Sequence, residues 1–175
     1  MKKIYALVIV AMMSVCAMAQ HEIGGIVGGL NGLSYKYWIS DNLALQADLA
    51  VGLTSTQGSA WAKGQQIIKP YAMDLYDFTL NPNLLYHFDL PANFKFYLGG
   101  GVNLGFVSAL QNTDPDGLLG KFGANGVLGA AYEVGSVPLV LALDFRPGYG
   151  LAFNDSPVHI NYFDWKVGFA IRYAL

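Results

Sequence analysis

The final thirteen residues, Phe163 to Leu175, read FDWKVGFAIRYAL and set the strictest limit on what this chain can fold into. Large apolar side chains take every second position: Phe163, Trp165, Val167, Phe169, Ile171, Tyr173 and Leu175. Between them fall Asp164, Lys166, Gly168, Ala170, Arg172 and Ala174. A strand sends successive side chains to opposite faces, so this segment has one bulky apolar face and one small or charged face. A helix would scatter both sets around its circumference. The segment is a long strand. Alternation alone leaves open which face meets water. A soluble strand turns its apolar face inward, and a membrane-barrel strand turns it outward to lipid.

The same pattern recurs upstream. Strands are predicted over His21–Leu30, Leu33–Ile39, Leu43–Thr54, Tyr71–Phe88, Phe94–Phe106, Leu119–Val134 and Val137–Arg146. The face assignment of the first, glycine-rich strand is ambiguous, and Pro82 marks an expected bulge in the fourth. Asn31-Gly32, Ser40–Asn42, Asp89–Asn93 and Gly135-Ser136 read as tight turns. Segments 55–70, 107–118 and 147–158 read as long loops. After the first connection, short turns and long loops alternate, as in an up-and-down barrel placed across a bilayer. Asn31-Gly32 breaks the rule, because a long loop belongs there.

Three considerations orient the faces. An eight-stranded barrel is only wide enough inside to be filled by side chains, and the many Phe, Tyr, Leu and Trp residues of the apolar faces exceed that space. The opposite faces are rich in Gly, Ala, Ser, Asn and Asp, and their charges balance. Lys36, Lys95, Lys121, Arg146, Lys166 and Arg172 share a face with Glu22, Asp48, Asp77, Glu133, Asp144 and Asp164. A narrow dry interior requires such balance, because unpaired buried charge is costly. Arg146 with Asp144 and Lys166 with Asp164 read as interior pairs on adjoining strands. Lastly, the aromatics sort to strand ends. Tyr37, Tyr86, Phe88, Phe94, Phe96, Tyr132 and Tyr173 lie toward the short turns, and Phe106, Phe122, Tyr149, Phe163 and Trp165 toward the long loops. Two such belts match the girdles of a membrane barrel. The expected fold is all-β: an eight-stranded antiparallel up-and-down transmembrane β-barrel.

Composition agrees. The chain is 54% hydrophobic and 13% charged, against about 25% charged for an ordinary soluble domain. No apolar run reaches the roughly 18 residues a membrane helix needs. Residues 1–19 read as a secretory signal peptide, with Lys2 and Lys3 before the apolar run Ile4–Val15 and small residues Ala17 and Ala19 before the cut. The barrel domain is 20–175. Cleavage removes Cys16, the only cysteine, and leaves eight basic against twelve acidic residues. That excludes disulfide and thiol chemistry and gives no basic surface for nucleic acid.

Candidate chemistry is thin. Asp155, Ser156 and His159 lie too close along one short segment to converge as a nucleophilic triad, and Pro157 stiffens it. His21, His87 and His159 show no metal-ligand spacing. Gly24-Gly25-x-x-Gly28-Gly29 lacks the crossover helix of a nucleotide fingerprint. No cofactor, metal or catalytic set is predicted.

The signal peptide, the strands LALQADLAVGL and FYLGGGVNLGF, the segment LALDFRPGYG and the terminal strand together resemble the small outer-membrane β-barrel proteins of Gram-negative bacteria, the OmpA-like or OmpX-like, porin-like small barrels. The likeness covers Gln20 to Leu175. It implies an outer-membrane location, contact with outer-membrane lipid, and assembly of a monomer by the barrel assembly machinery. In that family a terminal strand of alternating aromatics is the assembly signal. Phe169, Ile171 and Tyr173 match it, and Leu175 stands where Phe is usual. Barrel deacylases of lipid A carry a His-x-Ser pair, but here Ile160 and Asn161 follow His159. The expected function is non-enzymatic, structural or recognitive through loops 55–70, 107–118 and 147–158, around a closed polar interior. The rival readings are a narrow channel or lateral passage for small apolar solutes, and a lipid-modifying barrel enzyme.

Overall fold

The computed structural model describes residues 20–62, 65–109, 118–153 and 158–175, with side chains at 20–52, 77–107, 119–153 and 161–175. The predicted signal peptide, 1–19, lies outside the described residues, as do Asp155 and Ser156. Eight strands follow in order: β1 (His21–Gly28), β2 (Asn31–Trp38), β3 (Leu43–Ala62), β4 (Gln65–Leu90), β5 (Phe94–Ala109), β6 (Leu118–Val134), β7 (Leu139–Phe153) and β8 (Val158–Ala174). Each pairs antiparallel with its neighbours, and β1 pairs with β8 to close the barrel. Closure gives every strand two partners and leaves the barrel no free edge strand.

The side chains sit as the sequence pattern requires, with the bulky apolar faces outward and the polar faces inward. Trp165, Leu33 and Tyr149 on the outer surface are 66%, 64% and 58% exposed, whereas Asp48, Asp144 and Arg172 inside are fully buried. In β1, left open by the sequence, Glu22 and Ile26 are buried and Ile23 and Val27 exposed. Outside, Phe94 stacks on Tyr132 with ring centroids 4.8 Å apart, and Phe88 meets Tyr86 at 5.0 Å, both near the short turns.

Several boundaries differ from expectation. Within the predicted loop 55–70 the described residues, 55–62 and 65–70, are strand, with β3 and β4 paired through Ala62 and Gln65. Strand also takes up the ends of the predicted loops 107–118 and 147–158, since β5 reaches Ala109, β7 reaches Phe153 and β8 starts at Val158. In Ser55–Ala62 the sequence has no apolar contrast between the faces, so it reads as loop although the ladder continues, whereas at the end of β7 Tyr149, Leu151 and Phe153 still alternate with Gly148, Gly150 and Ala152, and it is Pro147 with the two glycines that reads as loop. Pro82 introduces no bulge. The β4–β5 register is the same on both sides of it, from Leu80–Leu104 to Asn83–Gly101. The irregularity falls instead between Gly58 and Ala60.

The first hairpin is the structural exception that the sequence hinted at. Asn31 and Gly32 belong to β2, and the turn is Gly29-Leu30. Gly28 has φ 119°, a left-handed value that glycine adopts without strain. The Asn31 side chain clamps the turn, accepting from Gly28 N at 3.1 Å and donating to Gly28 O at 3.0 Å. This hairpin ends partway up the wall. Its ladders stop at Asn31–Val51 with β3 and at Gly28–Gly168 with β8. Above it β3 and β8 converge and pair directly, Gln57–Ala62 with Val158–Phe163. The wall thus passes from eight strands to six toward the long-loop end.

Candidate functional site

The polar faces of the strands meet in the lumen, where alternate residues from opposite walls reach one another. Three tiers of side chains fill it. The upper tier lies above the tip of the β1–β2 hairpin. There Lys121 of β6 and Lys166 of β8 both donate to Asp77 Oδ2 of β4, at 2.6 and 2.7 Å. Asp164 of β8 stands 3.6 Å from Lys121 and 3.4 Å from Lys166.

The middle tier is the tightest. Arg146 of β7 donates through Nη1 to Asp48 Oδ2 of β3 at 2.6 Å and through Nη2 to Asp144 on its own strand. In an eight-membered ring β3 and β7 are diametrically opposed, so the Arg146–Asp48 bond spans the lumen. Tyr97 of β5 donates its hydroxyl to Asp144 Oδ1, and Gln46 donates to Asp48 Oδ2 at 3.0 Å. Charge-assisted bonds of this kind are the strong ones in a dry interior.

In the lower tier Arg172 of β8 donates from Nε to Ser34 Oγ at 2.8 Å and stands 3.9 Å from Glu22. Lys36 of β2 makes no hydrogen bond. Its ammonium lies 4.7 Å from the Tyr97 ring centroid and 5.6 Å from that of Trp38, a cation–π arrangement. His87 packs between those rings, 4.4 Å from Trp38 and 4.8 Å from Tyr97.

The structure brings Asp48, Asp77, Lys121, Asp144, Arg146, Asp164, Lys166 and Arg172 together within the lumen. It separates Lys95 and Glu133 from them. These two pair with each other at 2.9 Å at the short-turn mouth, with side chains 22% and 44% exposed. Alternation assigns a residue to a face but does not give its depth. Asp144–Arg146 and Asp164–Lys166 are contacts along single strands, not between adjoining ones, since residues two apart share a face. Phe169, Ile171, Tyr173 and Leu175, the residues that the family resemblance marks as an expected assembly signal, all face outward. Tyr97, Trp38, Gln46 and Ser34 are not singled out by the sequence, and His87 is weighed there only as a metal ligand. Their parity on the polar face was the available signal, and an interior tyrosine opposite a glycine was the second.

That second signal has a steric basis. Gly129 pairs with Tyr97 across β5 and β6, and a Cβ at Gly129 would collide with the Tyr97 ring. Gly129→Ala is therefore expected to cost about 1–3 kcal/mol, the usual penalty of overpacking, measured by urea unfolding in vesicles. A cost near zero would show that the ring has room to move.

Among the described residues no group of three or more His, Cys, Asp and Glu could hold a metal ion. The tiers form a framework of cross-lumen bonds in a barrel with a greasy exterior, which is the architecture of a small eight-stranded outer-membrane barrel. Solved structures agree on the fold. Neisserial surface protein A is similar with a TM-score of 0.56 and 17% identity over 89% of this chain and 94% of that one. The N-terminal β-barrel domain of Pseudomonas aeruginosa OprF gives a TM-score of 0.58 and 16% identity over 88% and 94%. No family model matches the sequence, and no curated protein is significantly similar to it.

Proposed function

We propose that the protein is an integral outer-membrane barrel, non-enzymatic, with a lumen closed to solutes, and that recognition takes place at its long-loop end. The observation that carries this reading is the middle tier, in which Arg146, Asp48, Asp144 and Tyr97 join β3, β5 and β7 across the full width of the barrel. A solute would have to break buried charge-assisted bonds to pass. The apolar exterior and the fold shared with small outer-membrane barrels support the location, with outer-membrane lipid as the surrounding medium. The β3–β4 ribbon, which stays paired up to Ala62 and Gln65, would hold a recognition surface clear of the headgroups. The test is single-channel recording in planar bilayers. The wild-type chain is expected to give no large stable conductance, and a steady open level would overturn the closed lumen. Heat-modifiable migration in the outer-membrane fraction tests the location.

One feature favours a second reading, lateral passage of small apolar solutes. Between the end of the β2–β3 ladder at Val51 and the start of the β3–β8 ladder at Gln57, the backbone from Gly52 to Thr56 pairs only with β4. Asp164 to Lys166 of β8 likewise pairs only with β7. This leaves a slot in the wall above Gly29-Leu30. The ion-paired middle tier lies below it, so a solute entering the slot meets a barrier. The closed reading is preferred for that reason.

A further inference from the structure

Gln20 opens the described chain, and the wall engages it through its carbonyl, which accepts from Trp38 N at 2.8 Å. From His21 onward the ladders take over. His21 pairs with Tyr37, and Leu175 N donates to His21 O at 2.8 Å. Gln20 itself is half-buried and borders the open mouth framed by the three short turns, a cavity of about 550 Å³. The sequence places a cut at this same residue. Lys2, Lys3, the apolar run Ile4–Val15, and Ala17 and Ala19 predict removal of a leader immediately before Gln20. A glutamine in first position carries both partners of an intramolecular acyl transfer. Its α-nitrogen and its side-chain Cδ close a five-membered ring by rotation about side-chain bonds alone.

We propose that Gln20 is a modification site, and that the mature chain begins with pyroglutamate formed there once the leader is removed. This rests on the cut before Gln20 and is independent of what the long-loop end recognises. The unprotonated α-nitrogen attacks Cδ, the N–Cδ bond forms and the Cδ–Nε2 bond breaks. The amide nitrogen leaves as ammonia, carrying the proton that the α-nitrogen gives up, and no oxidant, reductant or co-reactant is consumed.

The surroundings permit the reaction. About a tenth of an ordinary α-amine is unprotonated at pH 7, and escape of ammonia into dilute solution makes the step one-way. Asp41 and Asp89 border the same mouth and favour the protonated amine, which slows the attack. Both are exposed, so salt screens that effect. The carbonyl that Trp38 N holds lies outside the new ring, and the bond to β2 survives. The lactam removes the positive charge that the cut creates at the mouth and leaves no primary amine at the start of the chain.

The test is mass spectrometry of the chain isolated from the outer-membrane fraction of cells expressing the full sequence. Its first tryptic peptide, Gln20 to Lys36, is expected to be lighter than the sequence by one ammonia, with fragment ions placing the loss on residue 20 rather than on Asn31-Gly32. Its α-position should resist an amine-reactive label, and pyroglutamate aminopeptidase should convert it to a peptide beginning at His21. Gln20→Asn would have to close a four-membered ring, so it should keep a labelled α-amine while heat-modifiable migration is retained. A second measurement separates the fold from the chemistry. Chain 20–175, with Gln20 newly exposed by removal of a cleavable tag, is followed by mass in bilayer nanodiscs and in urea. Ammonia loss in the bilayer at a rate within about tenfold of that in urea is expected of a first residue left at an open mouth. The proposal is overturned by a full-mass first peptide with a free α-amine, by equal ammonia loss in Gln20→Asn, or by a chain that cyclises in urea and stays open in the bilayer. A chain that still carries Cys16 overturns it one step earlier, at the cut.

Discussion

Leu143→Arg is expected to cost about 2–4 kcal/mol of folding stability in a lipid bilayer, the penalty for a basic side chain facing hydrocarbon near mid-depth. Leu143 lies on β7 beside Phe169 of β8 and Ala130 of β6, between the two aromatic belts. It is 54% exposed. On a soluble protein, an exposed leucine away from any special feature tolerates arginine within about 0.5 kcal/mol. The two environments thus predict effects several-fold apart for the same substitution. Reversible urea titration of the chain refolded into phosphatidylcholine vesicles measures the difference. The size of the effect should fall toward either belt, because an arginine near the interface reaches water. Tyr173→Arg, at the short-turn end of β8, is accordingly expected to cost about 0–1 kcal/mol in charge placement. A cost at Leu143 as small as at Tyr173 would mean that hydrocarbon does not surround the barrel.

Such a test works because the faces were legible from sequence, and they were legible for a physical reason. Hydrocarbon outside and a narrow lumen inside allow almost no exceptions to alternation, so Leu45, Leu49 and Val51 could be set against Gln46, Asp48 and Ala50 residue by residue. Beyond the belts that constraint lapses. Strand β3 runs on from Ser55 to Ala62 with no apolar contrast between its faces, and it read as loop. Depth was equally hidden. Lys95 and Lys121 look alike in their strands, yet one ends at the mouth and the other in the upper tier, because depth depends on where each turn falls. Pairing across the lumen was the least legible feature of all. Arg146 and Asp48 stand 98 residues apart, and only the closure of β1 on β8 brings their strands to opposite walls. The aromatic surroundings of Lys36 were hidden for the same reason, since Trp38, His87 and Tyr97 come from three strands.

That cross-lumen bond carries the other large effect. Arg146→Met is expected to destabilise the barrel by about 3–5 kcal/mol, the cost of leaving buried charge without its partner. The substitution keeps most of the side-chain volume and removes the cation that bonds both Asp48 and Asp144. Both carboxylates are fully buried, so water cannot replace the guanidinium. They would then repel each other across a dry lumen, with only the neutral donors Gln46 and Tyr97 still bonded to them. Adding Asp48→Asn to Arg146→Met removes one of the two stranded charges and should return more than half of the loss. A strong positive coupling in that double-mutant cycle is the signature of a direct bond between the two residues. By contrast, Glu133→Gln removes a partner from a pair at the open mouth, where exposed ion pairs contribute about 0–1 kcal/mol. If Arg146→Met and Glu133→Gln cost the same, or if Asp48→Asn gives no rescue, the middle tier does not hold opposite walls together. The lumen would then owe its closure to packing alone, and the single-channel record of Arg146→Met would stay as silent as that of the wild-type chain.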